Sequence, residues 1–178
     1  MPERITAAAL VCGVGPLDRP GAAAGMNVSH RWMLRFGQRF PWLARKVIGF
    51  SLHWAWDYEN QVLPKALFKG LPTVDQEAVS RPEAKNMLLA NWREAFHAGN
   101  RGMLWDGDLY ARPWGFRLEE IPIAVHLWQG ELDKIVPPSM GHYCASLISN
   151  CQAHFFPEEG HFSLPFRRMR DILAGITQ

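Results

Sequence analysis

The sequence predicts an α/β fold whose parallel sheet is interrupted, after its first strand, by a long helical insert. Three observations carry this. Residues 5–14 (ITAAALVCGV) form a continuous apolar run closed by Gly15-Pro16, as a strand covered on both faces requires. Residues 29–99 then show helical periodicity and are dense in aromatics. From Ile121 onward strand and helix patterns alternate, which implies parallel pairing through right-handed crossovers.

Taken in order, Ile5–Val14 is the first strand and residues 17–28 are a Gly/Ala/Pro loop. Ser29 is placed to cap a helix carrying Trp32, Met33 and Phe36 on one face. Pro41 suits the first turn of the next helix, and Pro82 opens AKNMLLANWREAFHA, which Gly99 stops. Thr73 with Gln76 forms a weak capping box between them. Asp106–Phe116, punctuated by Pro113 and Gly115, reads as loop or broken helix. IPIAVHLWQG is a strand, Pro137–Ile148 a helix, QAHFFPEEG a strand, and Phe166–Ile176 the closing helix.

Composition narrows the function classes. The 178 residues suit one domain, 48% are apolar, and the net charge of +2 is carried by scattered basic residues. That is no footprint for a nucleic acid. Three cysteines, Cys12, Cys144 and Cys151, have no CxxC spacing and read as reduced thiols in a cytoplasmic protein. The N-terminal apolar run is short and interrupted by Gly and Pro, a buried strand in preference to a signal peptide. No run reaches the ~18 apolar residues of a membrane span. GVG at 13–15 lacks a third glycine, and the seven histidines include no HExxH, so no cofactor or metal is expected.

Two residues carry the chemistry. Asp133 follows the strand at 123–129 and His161 the strand at 152–157. In a parallel sheet both then project from the carboxyl edge, where ligands gather. Gly130 frees the chain to turn, and Gly160 lets the backbone set His161 beside the acid. Each residue alone has a plain structural role, as helix cap or helix start. Together they match a carboxylate that fixes an imidazole tautomer for proton transfer.

HLWQGELDKIVPP followed by HFFPEEGHFSL resembles the C-terminal part of the α/β-hydrolase superfamily, where one strand ends in G-x-x-D-x-x-V-P and the next in G-H. PERITAAALVCGVGPL resembles the strand after the nucleophile helix. The resemblance implies residues 1–28 and 119–178 as a partial hydrolase core, residues 29–118 as a helical lid, and Asp133 and His161 as triad acid and base. The implied substrate is a small, apolar, ester-like molecule.

The nucleophile is expected on a G-x-S-x-G elbow upstream of the acid. Ser29, Ser51 and Ser80 do not supply one: only Ser51 has Gly two residues before it, and His53 stands where the second Gly belongs. Cys12 reads as a buried thiol. The expectation is therefore a C-terminal half, inactive alone, whose missing nucleophile is Ser or Asp. It is a truncated product, a misplaced start, or a half completed by another chain; a non-catalytic binding module is the alternative. Trp105, Tyr110, Trp114 and Phe162 are expected to shape a substrate pocket. Strand 5–14, with no Lys, Pro or charge between Ile5 and Val14, is expected to self-associate or take a partner along its free edge.

Overall fold

The structure, a computed structural model, describes residues 2–44, 46–47, 68, 70–110 and 112–177. Three parallel strands form one sheet in the order β1 (Ala7–Val11), β2 (Ala124–Gly130), β3 (Cys151–Phe156). The register sets Ala7 opposite Ala124 and Val125 opposite Cys151, so β2 is central and its carboxyl end lies beside that of β3. Among the described residues no helix is long and apolar enough to cross a membrane.

Alternation along β2 divides the core into two layers. Val125 and Leu127 point to one face, where they pack with Leu118, Cys144 and Ile148 beneath α5 (Pro138–Leu147). Trp128 points to the other and packs with Cys12, Leu164 and Ile172 beneath α6 (Ser163–Ile176). Trp128 also stacks on Phe156 of β3 at 5.7 Å. Leu127 is almost wholly enclosed, a burial that contributes on the order of 2 kcal/mol. β1, paired on one side only among the described residues, has no fully buried residue.

Between β1 and β2 run α1 (Val28–Arg39), a helical turn at residues 41–44 opened by Pro41, α2 (Thr73–Ser80), α3 (Pro82–Phe96) and α4 (Arg101–Tyr110). Pro82 opens α3 as expected. Gly99, at φ +86°, leads the chain out of it, its N–H donating to Phe96 O at 2.8 Å.

Several boundaries differ from the sequence reading, each for a local reason. β1 is shorter than 5–14, because only Ala7–Val11 have β2 residues opposite them. Asn27, not Ser29, caps α1: its Oδ1 accepts the Ser29 N–H at 3.1 Å. On the face that carries Trp32, Met33 and Phe36, Trp32 and Met33 are exposed. At α2 the cap position is Pro72, which has no capping side chain, and Gln76 donates instead to Leu71 O at 2.8 Å. For Asp106–Phe116, read as loop or broken helix, residues 106–110 continue α4, which ends at Tyr110. The closing helix begins at Ser163, a turn early, for a reason that lies in the site. Phe50, Ser51, Trp54 and Trp56 lie outside the described residues.

Candidate active site

The carboxyl ends of β2 and β3 are tied together beyond the sheet. Glu131 N–H donates to Phe156 O and Leu132 N–H to Glu159 O, both at 2.9 Å. The two turns are so close that a Cβ at residue 130 would lie 2.7 Å from Gly160 O. Gly130 is required there by proximity. This contact delivers Asp133 and His161 to one another: His161 Nδ1 stands 2.8 Å from Asp133 Oδ2.

Asp133 is 1% exposed and both its oxygens are used. Oδ1 accepts the N–H groups of Ile135 and Val136, each at 2.8 Å. Oδ2 accepts from Gln129 Nε2 at 3.3 Å and faces His161. An acceptor-only carboxylate assigns the proton to Nδ1 of the ring, which leaves Nε2 bare and available as a base. His161 is also held edge-on by Phe162, with ring centroids 5.2 Å apart.

A third acid underlies this pair. Asp75 of α2 is 0% exposed. Its Oδ2 accepts the His161 N–H at 2.9 Å, and its Oδ1 accepts those of Phe162 at 3.0 Å and Ser163 at 2.8 Å. The Phe162 and Ser163 N–H groups are among those that any helix presents free at its start, whereas His161 stands one residue before the cap position. The residue at the cap position of α6 is Phe162, which has no side-chain acceptor, so the cap comes from 86–88 residues away. That remote cap is why α6 begins before Phe166.

Two further side chains reach the site. Burial lowers the proton affinity of His30 in α1, His161 lowers it further, and Asp133 opposes them. His30 Nδ1 is buried with no hydrogen-bond partner among the described residues. The start of α1 is fixed against the Asp133 turn by Asn27 N–H donating to Lys134 O at 2.8 Å. Cys12, just past β1 with φ +48°, is buried. One ligand atom each from Cys12, Asp133 and His161 lie within 4.8 Å of one another. Those donor types suit a zinc ion. However, Asp133 already serves four donors, and burial, reinforced by Asp133, pushes the Cys12 thiol far above its ordinary pKa. The cluster is therefore poorly suited to holding a metal.

No protein-family model matches this sequence, and no curated protein is detectably similar to it. Solved structures are. Rv0554 from Mycobacterium tuberculosis superposes with a TM-score of 0.52 at 17% identity, over 99% of this chain and 57% of that one. An esterase from Exiguobacterium antarcticum gives 0.51 at 12% identity, over 97% and 57%. An alpha/beta hydrolase fold protein from Nakamurella multipartita gives 0.50 at 17%, over 98% and 61%. The chain has part of an α/β-hydrolase fold. It spans somewhat over half the length of these hydrolase-fold proteins.

On this partial hydrolase fold the four expected pocket residues are dispersed. Phe162 lies at the site and also meets Phe68, at 6.1 Å between centroids. Trp114 packs against the α5-side core and lines a separate cleft of about 560 Å³ with Phe116, Tyr143 and Leu147. Trp105 (59% exposed) and Tyr110 stand on α4 facing water. Sequence reading did not find Asp75, His30, Gln129 or the approach of Cys12. Asp75 looks in sequence like any acid in a first helical turn, and nothing local shows that its partners lie beyond residue 160.

Proposed function

We propose that Asp133 and His161 are the acid and base of a hydrolase that cuts small, apolar, ester-like substrates. The observation that carries this reading is the 2.8 Å contact of His161 Nδ1 with a buried carboxylate whose other acceptor positions are filled. Asp133 holds the ring in the tautomer that leaves Nε2 bare and stabilises the imidazolium that forms on proton uptake.

For a hydroxyl nucleophile, Nε2 takes the O–H proton as the oxygen bonds to the acyl carbon. Collapse then expels the leaving alcohol, which takes that proton from the ring. Water deacylates by the same transfer in reverse. For a carboxylate nucleophile His161 acts only in the second step, on water. The attacking group comes from outside the described residues. Cys12 is a poor source, since its thiol is held protonated. In this reading the helical insert, residues 29–118, serves as the lid. The free edge of β1 pairs with the segment bearing the nucleophile, or with a second copy.

The test is hydrolysis of p-nitrophenyl butyrate by this chain alone and joined to whatever its reading frame encodes upstream of the Met1 codon. His161→Ala is expected to lower the rate of the joined protein by about 10³-fold or more. The chain alone is expected to show no turnover that depends on His161. A joined protein that binds ester analogues but whose rate ignores His161→Ala would be a binding module, and the proposal would be wrong.

A further inference from the structure

Asp75 sits in the helical insert, yet all three hydrogen bonds described for its carboxylate go to the segment carrying His161. The approach is intimate: a Cβ on residue 160 would lie 2.6 Å from Asp75 Cγ. Ser163 Oγ completes the turn by accepting the Gly160 N–H at 2.7 Å. The backbone of His161 is therefore held from one side by an acid of α2, and its ring from the other by Asp133.

We infer that Asp75 is a positioning residue for His161, so that the insert and the acid–base pair are set as one unit. This rests on the proposed role of the pair but is tested without reference to turnover. The division of labour between the two oxygens makes the test specific. An amide at residue 75 keeps one acceptor. Turned to serve Phe162 and Ser163, it presents its NH₂ to the His161 N–H, donor against donor. Turned the other way it abandons two N–H groups, a worse arrangement. Asp75→Asn therefore keeps most of the helix cap and releases His161 in particular.

The experiment is NMR on the full chain. In Asp75→Asn the His161 amide is expected to exchange about tenfold faster or more, as loss of a charge-assisted hydrogen bond requires, while Phe162 and Ser163 change less. The low-field resonance of the His161 Nδ1 proton should broaden or vanish. Glu77→Gln is the control, since Glu77 also ties α2 to α6, through Arg167 at 3.6 Å, without touching His161; it should leave that proton unchanged. An Asp75→Asn protein with faster amide exchange but an unaltered Nδ1 proton would show a helix cap only and overturn the inference. If the variant does not fold, the native chain still decides. A His161 amide protected to the level of β2 whose opening is shared by the His161 Nδ1 proton supports the inference; an amide exchanging like a loop, or a ring proton lost independently of it, refutes it.

Discussion

At the scale of single residues, the site is a set of buried polar groups that depend on one another. Removing the Asp133 carboxylate strands two backbone N–H groups and the His161 ring at once, and takes one of three acceptors from the Gln129 amide. Asp133→Ala should therefore cost about 3 kcal/mol in denaturant unfolding, and Asp133→Asn clearly less. His30 gives the pH dependence. Its folded pKa lies below the ordinary 6.5, so the unfolded chain binds more protons in that window and stability rises with pH. The contribution is complete above about pH 6.5 and is lost as pH falls below it. Thermal melts from pH 7.5 to 5 should show a decline that His30→Gln reduces; identical profiles would contradict this. Burial raises all three thiols, Cys12 most. Native protein at pH 8 should react with a thiol reagent at Cys12 only on the timescale of unfolding, as peptide mapping would show.

At the scale of elements, what the sequence reveals and what it hides have a common cause. The core of β2 is legible because its run is mostly apolar and bounded by Pro122 and Gly130, and Pro82 and Gly99 mark α3 because their backbone constraints act locally. Asp133 and His161 are legible because an acid and a base follow glycines at successive strand ends. Asp75 is illegible, because its work is done on N–H groups more than eighty residues away. The start of α6 is misread for the same reason. The exposed Trp32 and Met33 show the converse: a helical apolar stripe gives periodicity but not the identity of what it packs against. The tight approach of α2 to the turn before α6 is testable. Gly160→Ala drives a methyl group into the Asp75 carboxylate, and should destabilise by about 1–3 kcal/mol. A neutral substitution would mean that the two segments are not in this contact.

For the molecule as a whole, three strands with a helical insert make part of a hydrolase fold, and among the described residues β1 is its open edge. An apolar strand paired on one side, lacking charge and proline, invites further pairing. Size-exclusion chromatography with light scattering should find dimers or larger species at micromolar concentration, reduced by a lysine at Ala9, an exposed β1 position. A monodisperse monomer would contradict the open edge. In the proposed role Asp133 fixes His161 as a base with Nε2 bare, and the ring nitrogens report it directly. Long-range ¹H–¹⁵N NMR on the histidines of the native chain at neutral pH should show His161 in the Nδ1–H form, and Asp133→Asn should shift it toward the other tautomer. A native His161 carrying its proton on Nε2, indifferent to Asp133→Asn, would contradict the account.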